Sequence, residues 1–197
     1  MTKQWQLSEN ETYTRALGGL EYKFWLDARF NGTADHFARI ILRLQPGFVI
    51  SQEKLDNAWT VCRQSLPLLA ARILPAKKKE DVRFAVSVAD LTSDAARVIE
   101  RSGEDLADRL LGPERQLDDQ HQSRCYASTS RPGSLDLFFL LSHSIADGIS
   151  SILLARRFCD ALAQGSASKT LSNEELAAVL EKVPCQDTLI ANQLGTR

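Results

Sequence analysis

The chain has 197 residues, of which 44% are hydrophobic and 25% charged, so it can build one good core but not two large domains. Lys and Arg total 24 against 25 Asp and Glu, and a net charge of −1 gives no reason to expect a nucleic-acid partner. No basic, apolar leader precedes the fold and no apolar run approaches the ~18 residues of a membrane span, so we expect a cytoplasmic protein.

The first half of the chain predicts strands around one helix. The aromatic segment from Gly19 to Asp35 predicts a strand that ends in the turn Asn31-Gly32, and His36 to Leu44 predicts a second strand. Apolar residues at helical spacing predict a helix from Gln52 to Leu66 that Ser51 can cap. Beyond Pro67, the segments 69–74 and 82–88 are expected to pair across a solvated lysine-rich turn at 77–81.

The second half predicts a strand, a tight turn and a helix around one polar motif. The nearly continuous apolar run from Leu135 to Leu141 predicts a central strand covered on both faces. An amphipathic helix follows Gly148. The remaining expectations are helical pieces over 93–101 and 105–111, a loop over 114–123, a short strand over 125–129, and a helix that begins at the capping box of residues 172–175 and runs to about Val183.

His143 is the candidate catalytic residue because it stands at the end of the buried strand. Residues in that place are held rigidly while their side chains reach an open crevice. An imidazole titrates near neutrality, so it can take a proton from a hydroxyl or an amine. Asp147 could face His143 directly or could turn away and lock the loop through an arginine. Gly148 permits the positive φ and close backbone approach that a short strand-to-helix turn commonly requires.

The segment FFLLSHSIADGIS, Phe138 to Ser150, resembles the H-x-x-x-D-G signature of the chloramphenicol acetyltransferase-like superfamily. That superfamily includes BAHD-type acyltransferases, fungal alcohol acetyltransferases and the condensation domains of nonribosomal peptide synthetases. The earlier segment TRALGGLE, Thr14 to Glu21, resembles the R-x-L-G-x-x-E motif of the fungal alcohol acetyltransferases. The helix exit at Pro67 and the hairpin to Val88 also occur in the family's order.

The resemblance implies an α/β fold with a mixed β-sheet flanked by helices, like the N-terminal lobe of the family fold. Residues 1–165 would form this lobe, and residues 166–197 would be a linker, a short helix and a tail that leads toward a second lobe. It further implies that His143 is the general base for transfer of an acyl group from acyl-CoA to a small alcohol or amine, most plausibly in secondary metabolism. Asp147 and Gly148 would be structural, and Arg15 is the expected partner of Asp147. Backbone N–H groups around residues 148–150 are the nearest donors for a developing oxyanion.

Two departures from the family keep other functions open. Ser142 stands where condensation domains usually have a second histidine, which favours the stand-alone acyltransferases. A complete member is roughly twice this length, and the D-F-G-W-G motif of the second half is absent. The alternatives are a non-catalytic half-fold that binds a partner chain or an acyl ligand, or a dehydration or cyclisation in a homodimer crevice. We expect the second lobe to come from another chain, a homodimer or a longer gene product.

The other reactive side chains are expected to be ordinary. His36 lies beside a turn and His121 lies in a polar loop, and neither has a partner at catalytic or metal-binding spacing, so we interpret both as surface histidines and expect no metal site. The four cysteines lack C-x-x-C spacing, which indicates free, buried thiols. Cys159 falls on the apolar face of its helix. No bound cofactor is indicated.

Overall fold

The computed structural model describes residues 4–8, 10–99, 101–165, 168–183 and 185. Within these residues no helix has both the length and the apolar character needed to cross a membrane. The tail beyond Cys185, which the sequence left without a predicted element, lies outside the described residues, as does part of the expected linker at 166–167.

Eight strands and five helices make up the described chain. The helices are α1 (Gly19–Asn31), α2 (Gln52–Ser65), α3 (Gly103–Leu110), α4 (Gly148–Gln164) and α5 (Asn173–Leu180). The strands are β1 (Gln6–Leu7), β2 (Tyr13–Ala16), β3 (Asp35–Arg43), β4 (Arg72–Leu74), β5 (Arg83–Val86), β6 (Arg97–Ile99), β7 (Ser123–Ser128) and β8 (Ser134–Ser142).

These strands form two four-stranded sheets. The first has the order β1-β2-β5-β4 and is antiparallel throughout. The second has the order β3-β8-β7-β6 and is mixed, because β6 runs parallel to β7 while the other pairs are antiparallel. The predicted α/β class with a mixed sheet flanked by helices is therefore confirmed, and the antiparallel sheet beside it is an addition that the sequence did not reveal.

Strand β8 is central and covered on both faces, as its apolar run predicts. Side chains alternate across a strand, so Leu137 and Phe139 face α2 and α4, whereas Phe138 and Leu140 face the cluster of α3. Nine residue pairs join β8 to β3, from Asp35 opposite Ser142 to the far end of both strands. This pairing holds the end of β8 against a second long strand and so fixes the turn that follows.

The expectation of a strand over residues 19–35 is wrong, because most of this segment is α1. Its aromatic residues suit a strand by composition, but Trp25 and Leu26 pack with the first sheet from one helical face. The Glu21 carboxylate accepts from the Gly18 N–H at 2.6 Å and closes the first turn. The Asn31-Gly32 signal is correctly placed, since Gly32 ends the helix in the left-handed conformation with φ 64°.

The expected helix over residues 93–101 is also wrong, because its second part is β6. This three-residue strand gains its hydrogen bonds from β7, and Val98 and Ile99 pack on opposite faces of the sheet. Pairing with a distant strand therefore outweighs the local helical pattern. The other predicted elements are present: β3, α2 capped by Ser51, the β4–β5 hairpin, α3, β7, β8, α4, and α5 with its capping box.

Candidate active site

The motif residues occupy the predicted turn between β8 and α4. The Ser142 carbonyl accepts from the N–H groups of Ile145 and Ala146, so the chain reverses within four residues. The His143 N–H donates to the Ala34 carbonyl at 3.0 Å, which extends the pairing with the chain that leads into β3. Two elements thus fix the backbone of His143, while its side chain remains partly exposed.

The ring of His143 is held on two sides. Its Nδ1 atom lies 2.8 Å from the Ala146 carbonyl oxygen within the same turn. The ring of Phe24, from α1, stacks on it with centroids 3.9 Å apart and planes at 23°. A carbonyl oxygen can only accept, so this contact favours a proton on Nδ1, and in the neutral ring that tautomer has its lone pair on Nε2. The Nε2 atom has no hydrogen-bond partner among the residues that the structure describes, as a base that receives a substrate proton requires.

His36 is the residue that sequence reasoning missed. The sequence predicts an ordinary surface histidine at this position, yet Nε2 of His36 lies 2.9 Å from Nδ1 of His143, and the two rings meet edge to face. Burial lowers the pKa of His36, and the charge of His143 lowers it further, against smaller raising effects from Asp147, the Ala146 carbonyl and Asp35. Pairing of the two predicted strands could have revealed this contact, because antiparallel pairing of β3 with β8 places His36 opposite Leu141, at the end of the apolar run of β8.

Asp147 caps helix α4. Its Oδ1 accepts from both the N–H and the hydroxyl of Ser150, each at 2.7 Å, and these bonds hold the pKa of Asp147 below its usual range. Its carboxylate makes no hydrogen bond with the ring of His143 in the described chain, although the charge of His143 contributes to the lowered pKa. Of the two roles that the sequence left open, neither is observed, and a third role, that of helix cap, takes their place.

Gly148 is the first residue of α4, and the turn does not require a glycine there. Its φ is not positive, in contrast to Gly32 and Gly165. A Cβ added at Gly148 would meet no described atom within 4 Å. The expectation that the turn needs this glycine is therefore wrong, because the strand-to-helix connection uses ordinary backbone conformations at this position.

Arg15 does not pair with Asp147, and that expectation is also wrong. Its guanidinium forms two hydrogen bonds with the Glu21 carboxylate, at 2.9 and 3.0 Å, and both side chains are fully buried. The rings of Trp5 and Phe84 lie on the same guanidinium. The two charged ends of the R-x-L-G-x-x-E segment therefore bind each other, since a buried charge needs a partner close by in the fold.

The remaining histidine and two of the cysteines lie outside this turn. His121 contacts Asp118 within its own loop at 2.9 Å. Burial raises the pKa of the Cys62 thiol to about 12 and that of the Cys159 thiol above its usual value, which disfavours a nucleophilic role for both. The described residues contain no cluster of three or more metal-binding side chains.

Two further features border the turn. The N–H groups of Gly148 and Ile149 point out of the first turn of α4 and have no acceptor in the part of the chain that the structure describes. A cavity of about 200 Å³ borders the turn at Ile145 and Ala146 and the first turn of α4 at Ser150, and the rest of its lining is mainly apolar, from Leu66, Leu68, Leu141 and Leu154. Ala146 thus contributes a carbonyl to His143 and a methyl group to the cavity.

No protein-family model and no curated protein matches the sequence. Solved structures do. The trichothecene 15-O-acetyltransferase of Fusarium sporotrichioides matches with a TM-score of 0.63 and 12% identity, over 80% of this chain and 37% of that chain. The X-domain from teicoplanin biosynthesis matches with a TM-score of 0.61 and 20% identity, over 92% of this chain and 42% of that chain. The first condensation domain of the CDA synthetase matches with a TM-score of 0.57 and 16% identity, over 80% and 43%.

The described chain has the fold that these acetyltransferase and condensation-domain structures show over the matched region. The resemblance predicted from the H-x-x-x-D-G segment is thereby confirmed at the level of the fold. The chain spans only about two-fifths of the structures that it matches.

Proposed function

We propose that the chain supplies the catalytic base of an acyltransferase. It would transfer an acyl group from acyl-CoA to a small alcohol or amine, most plausibly in secondary metabolism, and a second lobe would complete the site. The observation that carries the proposal is the state of His143, whose Nδ1 lies 2.8 Å from the Ala146 carbonyl while Nε2 is unpartnered in the described chain. A neutral imidazole fixed in this tautomer presents its lone pair to an incoming hydroxyl or amine.

In the proposed reaction, Nε2 of His143 takes the proton of the acceptor as its oxygen or nitrogen attacks the thioester carbonyl carbon. The carbonyl π electrons move to oxygen, and the N–H groups of Gly148 and Ile149 at the start of α4 are the donors that would stabilise this oxyanion. The intermediate then collapses, the C–S bond breaks, and the thiolate of CoA receives the proton from His143. The ester or amide and free CoA leave, and His143 is again neutral.

The surroundings of the turn support an acyl substrate. The cavity beside residues 145 and 146 has an apolar lining, which suits the hydrocarbon part of an acyl group. A Cβ added at Gly148 would meet no described atom within 4 Å, so there is open space at the first residue of α4. Asp147 would then serve the site indirectly, since it caps the helix whose first N–H groups are the proposed oxyanion donors.

The proposal is tested by release of free thiol from a panel of acyl-CoAs, with and without short alcohols and amines. His143→Ala should lower turnover by ~10²- to 10⁴-fold with the fold intact. His121→Ala is the matched control, because it removes an imidazole that binds Asp118 in its own loop and makes no contact with the ring of His143 in the described chain. Equal rates for the His143→Ala and unmodified proteins would refute the role of His143 as base.

A second candidate function is a non-catalytic lobe that binds a partner chain or an acyl ligand. The outer face of α4 favours it, because Ile149, Ile152 and Leu153 are 70%, 71% and 59% exposed and lie on one side of the helix. This function predicts that the chain self-associates or binds a partner and that Ile152→Lys weakens this binding. It also predicts that His143→Ala leaves the rate of thiol release unchanged. The primary proposal predicts the opposite response of thiol release.

A further inference from the structure

The edge strand β3 brings a second histidine to the candidate base. The pairing of Asp35 with Ser142 places His36 one residue further into β3, on the side of the turn that carries His143. Nε2 of His36 and Nδ1 of His143 are 2.9 Å apart, and the rings meet at 74° with centroids separated by 4.2 Å. The Ala146 carbonyl lies 2.8 Å from the same Nδ1 atom.

We propose that His36 is a positioning residue for His143. His36 keeps the proton of the His143 ring on Nδ1, and it holds that ring in place when Nε2 of His143 becomes protonated. The catalytic consequence rests on the proposed acyl transfer, whereas the effect on the ring of His143 does not.

The hydrogen-bond roles follow from the acceptors around Nδ1. The Ala146 carbonyl cannot donate, so the proton between it and His143 belongs to His143. A neutral His36 with its proton on Nδ1 then offers the Nε2 lone pair as a second acceptor for that proton. If His36 instead carried a proton on Nε2, two N–H groups would face each other across 2.9 Å. The arrangement is therefore stable only while His36 is neutral and carries its proton on Nδ1.

The charges around His36 favour the neutral form. The groups that face it are His143 and Asp147 on the turn and Asp35 on its own strand, and Asp35 is itself paired with Arg115 at 2.7 Å. Partial burial and the positive charge of a protonated His143 both oppose a second positive charge at His36, and this opposition exceeds the attraction of the two aspartates. When His143 takes a proton on Nε2, its Nδ1–H becomes a stronger donor, and His36 Nε2 is in position to accept part of that bond.

The test reads the ring nitrogens directly. The chain has three histidines, so ¹⁵N chemical shifts of the imidazoles can be assigned with few variants. Three substitutions are compared: His36→Phe keeps a ring without an acceptor, His36→Gln keeps an acceptor that does not titrate, and His121→Gln is the control at a distant loop. We expect the unmodified protein at pH 7.5 to show His143 protonated on Nδ1 only. His36→Phe should show a mixture of both tautomers, and His36→Gln should restore the original pattern.

If the protein releases thiol from an acyl-CoA, the kcat of His36→Phe should be about tenfold lower than that of the unmodified protein, with KM little changed. His36→Gln should recover most of kcat and should show a shallower acid limb of the pH profile, because one of two coupled protonations has been removed. An unchanged tautomer of His143 in His36→Phe, with the fold intact, overturns the inference whatever the rates. If no variant releases thiol but the tautomer shifts as expected, the positioning stands and the proposed acyl transfer fails.

Discussion

Double-mutant cycles around Arg15 distinguish the observed ion pair from the one that the family resemblance implied. In the structure, Arg15 binds Glu21 and Asp147 caps α4 through Ser150. Arg15→Met removes the guanidinium, so the fully buried Glu21 carboxylate loses the two hydrogen bonds that it accepts from Arg15. A buried charge without its counter-ion costs about 3–5 kcal/mol in the free energy of unfolding.

Asp147→Ala removes the cap alone, for which about 1 kcal/mol is expected. Because Arg15 and Asp147 share no contact, the double variant Arg15→Met/Asp147→Ala should be additive within about 0.5 kcal/mol. Arg15→Met/Glu21→Gln should lose much less than the sum of its single variants, with a coupling of about 1–3 kcal/mol. For a chain of this size, Arg15→Met alone corresponds to a fall in Tm on the order of 10 °C.

The assay is urea unfolding followed both by tryptophan fluorescence and by far-ultraviolet circular dichroism. Two probes are needed because Trp5 lies 5.2 Å from the Arg15 guanidinium and reports its loss directly. Coupling of more than about 0.5 kcal/mol between Arg15 and Asp147, together with additivity between Arg15 and Glu21, would refute the pairing that the structure shows.

Two more predictions concern stability. Gly103→Ala should lower the free energy of unfolding in urea by about 2–4 kcal/mol, because the added Cβ would lie 1.7 Å from Oδ2 of the buried Asp136 and displace its ion pair with Arg39. Gly148→Ala places its Cβ in open space and should raise the free energy of unfolding by up to about 1 kcal/mol. Equal losses of stability in the two variants would contradict both predictions. Arg131 and Arg39 lower the pKa of Glu104 to about 2, so the stability that this carboxylate contributes is present above its unfolded pKa near 4.5 and is lost as pH falls toward 2. Acid titrations of Glu104→Gln should therefore show a flatter loss of stability in that window than the unmodified protein, and Glu80→Gln, at the exposed hairpin tip, should not.

The sequence predicted the elements whose signals are local and strong. The run from Leu135 to Leu141 is apolar at every position but one, which only a strand covered on both faces accommodates at that length. The helix after Gly148 and the capping box at Ser172 have clear periods and caps. His143 was found for the same reason, because it is defined by the end of one such element and the start of the next.

The failures concern features that depend on distant contacts. Residues 19–31 have the composition of a strand, and their helical face is visible only once Trp25 is seen to bind Asp119, which is far away in the chain. Arg15 was assigned to Asp147 by analogy, although its true partner, Glu21, stands at the other end of the same quoted motif. Composition and analogy cannot decide between partners that folding brings together.

The same failures explain why the candidate site was incomplete. Phe24 was assigned to a strand and His36 to the surface, so the two rings that hold His143 were both missed. Each lies on a different element from the motif, and neither is near it in sequence. A base on a turn needs such supports, because one carbonyl contact leaves the ring free to tilt about that bond. Phe24 restrains the face of the imidazole and His36 its edge, so the two rings limit the orientations that His143 can adopt.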